Sequence, residues 1–255
     1  MNPTHPYIIF DKIDDIGIVT LHLPPQNFIP VPDFIDDKEL HAWITKNQFK
    51  GIIIQGAGRH FSAGADLKNL FDLARDEKQL ISRMNKGKDL LEYISNLKIP
   101  VIAAIKGSCF GGGLEIALAC HIRVCTENAL FAFPEVNLNL MPGLAATVRL
   151  PQLTGFSNAT SMILTGDITD AGTALKIKLV DHISGDKDIS LYALKLLKKM
   201  TDHHLLEVIH SIMTSLHNSR KLPYKEALAE ETNLFCKLAI TEAKKNYDED
   251  HKIHA

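Results

Sequence analysis

The sequence predicts a mixed α/β fold built from repeated strand, strand, helix units and followed by an all-helical C-terminal part. Three observations carry this expectation. GIIIQG at 51–56 and PVIAAIKG at 100–107 are short apolar runs with the length and β-branched content of buried strands. Strand and helix signals then alternate, but without the single regular βα rhythm of a doubly wound sheet. From about Ser190 onward the apolar spacing is helical almost throughout, with no strand signal. The chain is accordingly divided into a core at 1–189 and a helical subdomain at 190–255.

The elements follow in order. YIIFDKIDDIGIVTLHL alternates β-prone residues around Asp14, Asp15 and Gly17, which predicts a hairpin ended by Pro24 and Pro25. A proline-rich loop, NFIPVPDF, comes next. DDKELHAWITKN spaces Leu40, Trp43 and Ile44 as a helix does, with Trp43 expected in the core. Leu67 to Leu97 is charge-rich with apolar residues three and four apart, again helical. Pro100 opens the second buried strand, and a helix is expected from about Gly113, because the glycines before it suit a turn better than a helix interior. HIRVCTE and ALFAF read as strands, PEVNLNLMPG as a loop, and ITDAGTALKIKLVDHI as a helix capped by Asp170 and followed by a short strand.

Composition narrows the function classes. With 255 residues and 45% hydrophobic content, the chain can bury a large core. Its net charge of -2, with acids and bases interspersed, argues against nucleic acid or an anionic membrane as a partner. No run approaches the roughly 18 apolar residues needed to cross a bilayer, and MNPTHPYIIFDK lacks the pattern of an export signal. Cys109, Cys120, Cys125 and Cys236 show neither CxxC spacing nor a dense framework. They are expected as buried, reduced thiols in a cytoplasmic protein, with no metal and no redox cofactor required.

Chemistry concentrates in three segments. CFGGGLEIALAC, at 109–120, sets three glycines before an apolar run broken only by Glu115, in what would be the first helical turn. The helix dipole alone favours an acid there. GRHFSAGADL and GSCFGGGLE each follow a buried strand and lead into a helix, where backbone amides point outward and can bind negative charge. The amides of Ala65 and Gly112 are nominated to serve one oxygen; the other reading is that the glycines merely permit tight turns. FAFPEVNLNLMPG places Glu135 after Pro134 beside an apolar strand, where a solvated loop acid is the ordinary alternative. Two carboxylates can divide general-acid and general-base roles if their surroundings separate their pKa values.

FSAGADL, IPVIAAIKG, GGGLEIALAC, FAFPEVNL and MPG, in this order, resemble the enoyl-CoA hydratase/isomerase family, also called the crotonase superfamily, over about Ile18 to Val180. The resemblance implies a crotonase-like spiral of ββα units, with C-terminal helices that help to assemble trimers, often paired as hexamers. It implies an acyl thioester substrate carried by coenzyme A or a related pantetheine arm. By similarity, Ala65 and Gly112 match the oxyanion-hole positions, while Glu115 and Glu135 match the two acids of hydratase members. Ala63, Asp66, Leu67, Gly111, Pro134 and Gly143 match positions along the bound thioester and its acyl pocket. Hydration of a 2-enoyl thioester, or its reverse, is the expected reaction; isomerase, decarboxylase, hydrolase or non-catalytic acyl-CoA binding are the alternatives.

The chain departs from the family pattern in four places. Ala145 and Ala146 stand where a further glycine pair is common, and their methyls are expected to narrow the acyl pocket or alter the adjoining helix start. Asn139 replaces a frequent glycine. ITEAKKNYDEDHKIHA replaces a usual acidic and glycine-containing element, and NFIPVPDFIDD is proline-rich where many relatives begin a long helix. An unusual acyl group or a carrier-protein substrate is compatible with these changes.

Overall fold

The computed structural model describes residues 7–185 and 188–253, with side chains through 245. The opening MNPTHP, part of the segment read as lacking an export signal, lies outside them, as does the end of the divergent C-terminal stretch. The strands are β1 (Ile8–Ile13), β2 (Ile16–Leu21), β3 (Gly51–Gly56), β4 (Val101–Ile105), β5 (Ser108–Phe110), β6 (Ile122–Thr126), β7 (Leu130–Ala132), β8 (Thr169–Asp170) and β9 (His182–Ser184). The helices are α1 (Asp37–Asn47), α2 (Leu67–Leu73), α3 (Glu77–Ser95), α4 (Gly112–Ala119), α5 (Ala146–Thr154), α6 (Phe156–Thr165), α7 (Ala171–Lys176), α8 (Ile189–Thr201), α9 (Leu206–Lys221) and α10 (Tyr224–Ile253).

The strands sort into two sheets, ordered β1-β2-β3-β4-β6-β9 and β5-β7-β8. The β1–β2 hairpin is antiparallel and every later neighbour in the large sheet is parallel. Ile18, Ile53, Ile102 and Ile122 lie abreast across β2, β3, β4 and β6. Strands covered on both faces read as continuous apolar runs, as β3 and β4 do. On one face Ile16, Ile53, Ile102, Ala104 and Val124 pack against Ile189, Ala193 and Leu197 of α8. Trp43, expected in the core, is half-buried at its edge, its ring centroid 4.7 Å from Phe10 and 4.6 Å from the buried Phe49.

The two-sheet arrangement is the strand, strand, helix repeat in space. β4 joins the large sheet, β5 the small one, and α4 follows; β6 and β7 repeat the division. Two short turns depart from the expected elements. The 67–97 stretch breaks at Ala74–Asp76 into α2 and α3, because Asp76 caps the second helix through the Gln79 N–H. The PEVNL part of the expected loop winds into a 3₁₀ turn, Pro134–Leu138. Asp170 caps α7 through the Thr173 N–H at 2.8 Å, as predicted.

The chain divides into compact units at 1–200 and 201–255, not at 189/190, since α8 belongs with the sheet it covers. Within the second unit, Lys237 of α10 pairs with Glu207 of α9 at 3.2 Å. Cys109, Cys120 and Cys125 are buried, and desolvation pushes the thiols of Cys120 and Cys125 up to about 12. Cys236 corrects the expectation for its group: it is exposed on α10. No helix among the described residues is long and apolar enough to cross a membrane.

Candidate active site

The small sheet brings the three chemistry-bearing segments together. β5 and β7 are parallel neighbours with Phe110 opposite Ala132, so the residues that follow them emerge side by side. The Gly111 N–H continues the ladder by donating to the Ala132 carbonyl at 2.9 Å. Ser62 bridges Cys109 on the far side of β5, accepting the Phe110 N–H and donating its own to the Ser108 carbonyl. Three chain segments therefore leave the carboxyl ends of adjacent extended strands, where open α/β sheets bind ligands.

Each amide nominated from sequence points away from the protein's own acceptors. Ile29 bridges Ala65 by donating to the Gly64 carbonyl and accepting the Asp66 N–H. In a parallel bridge of this kind the central residue's own N–H faces the opposite side. The amide of Ala65 is thus freed by the bridge; α2 begins only at Leu67. Gly112 is the first residue of α4, and a first-turn N–H has no intrahelical acceptor. A Cβ placed on Gly112 would stand 3.9 Å from the Ala65 nitrogen, which locates the two donors around one small space.

The glycine triplet divides its labour. Gly111 adopts φ +49°, and a Cβ there would lie 2.8 Å from Glu135 Oε1, so only glycine admits both the turn and the acid. A Cβ on Gly113 would lie 2.7 Å from Ser62 Cβ, so that residue lets α4 press against the 60–66 loop. Beneath this loop is a buried polar network that the sequence reading missed. Asn27 Nδ2 donates to the carbonyls of Ala57 and His60, both at 2.8 Å, and Ser62 Oγ donates to the Asn27 carbonyl while accepting the Gly64 N–H. The only signal available was an asparagine beside a Pro-Pro pair, which reads first as a turn residue.

Glu115 is 2% exposed. Its Oε1 accepts the N–H groups of Leu144 at 2.6 Å and Ala146 at 2.9 Å, and no protein donor among the described residues reaches Oε2. Burial pushes its pKa up to about 7, opposed by the Ala146 amide and reinforced by the nearby Glu135 charge. Glu135 is also raised by burial, and its Oε2 is buried without a hydrogen-bond partner. A desolvated, unpartnered carboxyl favours its protonated form.

Every site residue nominated from sequence lines one cavity of about 500 Å³: Ala63, Ala65, Asp66, Leu67, Gly111, Gly112, Glu115, Pro134, Glu135 and Gly143. Asp66 has a second task, since its side chain caps α2 through the Asn69 N–H at 3.1 Å. The proline-rich loop also lines this cavity, with Phe28, Ile29, Pro30, Val31 and Pro32, as do Leu80 and Met84 of α3. Ala145 and Ala146 do not line it, which corrects the expectation that their methyls narrow the pocket. Their effect is on the helix start: Ala145 sits at φ 81° before α5 and has no side-chain cap. Asn139 also adopts the left-handed region, at φ 56°, which asparagine tolerates better than most residues.

A two-sheet α/β spiral carrying paired acids and outward amides in one apolar chamber is an enzyme scaffold of a recognisable family. The model of the enoyl-CoA hydratase/isomerase family matches residues 15–253, and the chain belongs to that family. It is 33% identical over 226 residues to a probable enoyl-CoA hydratase of Bacillus subtilis, covering 86% of this chain and 85% of that protein. It is 34% identical over 224 residues to the fatty acid oxidation complex subunit alpha of Idiomarina loihiensis, covering 84% of this chain but 31% of that longer protein. Among solved structures, DspI of Pseudomonas aeruginosa superposes with a TM-score of 0.82 at 30% identity, covering 93% of this chain and 90% of that one. An enoyl-CoA hydratase from Bacillus anthracis does so at 0.81 and 25%, covering 96% of each chain.

Proposed function

We propose that the protein is a 2-enoyl thioester hydratase, working in either direction, with Glu115 and Glu135 as its acid–base pair and the amides of Ala65 and Gly112 as its oxyanion hole. The observation that carries this reading is that both carboxyl groups and both outward amides face the same cavity. A water between the acids gives a proton to ionised Glu115 as its oxygen bonds to the β-carbon. The double-bond electrons move onto the thioester oxygen, which the two amides and the positive end of α4 stabilise as an enolate. The enolate then takes a proton at the α-carbon from protonated Glu135. The raised pKa values suit the pair, since an acid and a base work best when poised near the operating pH.

Coenzyme A or a carrier-bound pantetheine supplies the thioester as part of the substrate, and no separate cofactor is used. The chain works as a cytoplasmic homotrimer or hexamer, and exposed Phe156, Leu164 and Ile168 are the apolar surface such assembly would cover. One observation favours a second reading, an isomerase that uses Glu135 alone: the Oε1 of Glu115 is already taken by two backbone donors. Turnover of crotonyl-CoA and longer enoyl thioesters in labelled water separates them. Label at the β-carbon belongs to the hydratase, and wild type and Glu135→Gln equally inactive on every thioester would remove the assignment.

A further inference from the structure

We infer that Met84 is the movable wall that sets how long an acyl chain the cavity accepts; this rests on the thioester reading above. Apart from Asp66, Glu115 and Glu135, every residue lining the cavity is apolar or glycine. Asp66 is engaged as a helix cap, and the two acids are assigned to the reaction. A hydroxyl or carboxylate on the acyl tail would thus be buried without a partner, which is costly.

The wall is built on one face of α3. Leu80, Met84 and Gly87 follow at the i, i+4, i+7 spacing that puts residues on the same side of a helix. Leu80 and Met84 line the cavity. Gly87 lets the helix press against the next layer: a Cβ there would lie 2.7 Å from the Pro32 carbonyl oxygen and 2.9 Å from Leu144 Cδ2, and both Pro32 and Leu144 line the cavity. Leu144 is the residue whose N–H holds Glu115, so this wall stands next to the reacting end. Between them Met84 reaches over Gly143, with Cε 2.5 Å from where a Gly143 Cβ would be. At Met84 the wall is the far end of an unbranched thioether with three rotatable bonds. The space over Gly143 is where that end rests, at the cavity wall.

The test compares wild type, Met84→Ala, Gly143→Ala and the double variant by the ratio of kcat/KM for trans-2-decenoyl-CoA to that for crotonyl-CoA. Each methylene the wild-type cavity accepts is expected to raise kcat/KM about fourfold until the wall is met. Met84→Ala is expected to raise the ratio about tenfold. Gly143→Ala is expected to lower it by displacing Met84 Cε into the chamber, and the double variant to return to the Met84→Ala value. A ratio unchanged within twofold in Met84→Ala, or a Gly143→Ala loss that survives in the double variant, overturns the gauge. Dissociation constants of butyryl-CoA and decanoyl-CoA, measured by calorimetry on the same four proteins, read the gauge without turnover. Wild type that binds these in the expected order and hydrates nothing refutes the hydratase reading alone. Hydration with unaltered length ratios refutes the gauge alone, and failure to bind either ligand sinks both.

Discussion

The Oε1 atom of Glu115 accepts the backbone N–H of Leu144 at 2.6 Å, so a buried acid of α4 holds the segment that opens α5. The Ala146 N–H joins it at 2.9 Å, and Ala145 offers no side-chain cap of its own. The carboxylate therefore does for α5 what an N-cap residue does locally, satisfying donors that would otherwise be orphaned. Those same amides hold one oxygen in place and stabilise its charge, but burial wins and the group titrates near neutrality.

This balance fixes how stability depends on pH. The folded pKa of Glu115, about 7, lies above its ordinary 4.5, so the folded state binds the proton more tightly than the unfolded chain. The associated stabilisation is complete below about pH 4.5 and is lost as pH rises through 7, on the order of 3 kcal/mol. Glu115→Gln keeps an oxygen for the Leu144 and Ala146 amides and removes the titration. Its stability should decline less than that of wild type across this window, the remainder belonging to Glu135, which burial also raises, and denaturant melts at pH 5 and pH 8 check that. A variant that declines as steeply as wild type would assign the effect to another group.

The same titration shapes the rate. In the proposed mechanism Glu115 must be ionised to take a proton from water, so kcat/KM should fall about tenfold per pH unit below 7. Glu115→Gln should lose about 10² to 10⁴ in rate and flatten this limb. An acid limb that persists unchanged in Glu115→Gln would locate the titrating group elsewhere.

Adjacent glycines should respond differently to alanine. At Gly112 the new methyl meets only Ile29 Cδ1 at 3.4 Å and the Ala65 nitrogen at 3.9 Å, so the chain folds, but the methyl crowds the space between the donors. Loss of one such donor typically costs about 10² to 10³ in kcat. At Gly113 the methyl meets Ser62 Cβ at 2.7 Å and the Ser62 carbonyl oxygen at 2.9 Å, an overpacking cost of about 1–3 kcal/mol. Thermal melts and kcat measured side by side should show rate loss at the first position and stability loss at the second.

Ala145 is held at φ 81°, where an alanine side chain is strained by about 1–2 kcal/mol. Glycine relieves this at the cost of extra freedom in the unfolded chain, so Ala145→Gly should stabilise by about 1 kcal/mol. Chemical denaturation checks it. A destabilised variant would mean that the methyl packs usefully beside Glu115.

Why was so much of the site readable, and what was not? Ala65, Gly112, Glu115 and Glu135 stand in contiguous motifs whose residue types are forced by local events: a strand ends, a glycine turns, a helix starts. Gly111 must be glycine because Glu135 occupies the place of its Cβ, and that requirement shows in the sequence even though the partner does not. Met84 and Leu80 were invisible as cavity wall, since an apolar residue at helical spacing reads as core whichever surface it faces. Ala145 showed that a family glycine was missing, but its consequence, a strained helix start and not a narrower pocket, depended on where a methyl points. The domain division was misplaced because α8 has the same helical periodicity as α9 and α10, and only its packing on Ile16, Ile53 and Ile102 assigns it to the sheet.

Asn27 gives the last prediction, since it supports the loop of the proposed oxyanion hole without lining the cavity. It is 1% exposed, donates to the carbonyls of Ala57 and His60, and accepts the Leu23 N–H at 3.1 Å. Asn27→Ala leaves those buried carbonyls and that amide without partners, each worth about 1–3 kcal/mol. Asn27→Asp keeps the acceptor for Leu23 but loses both donated bonds and buries a charge against carbonyl oxygens, so it should be the more damaging change despite its near-identical shape. The Ser62 hydroxyl bonds to the Asn27 backbone carbonyl, which both variants retain, so the link to Gly64 survives while the base of the loop loosens. The expected signature is a lower melting temperature together with a fall in kcat larger than the rise in KM, because the Ala65 amide is positioned less well for the enolate than for the ground-state carbonyl. Equal stability of Asn27→Asp and wild type would show that water replaces the lost donor and that the loop is held by Ser62 alone.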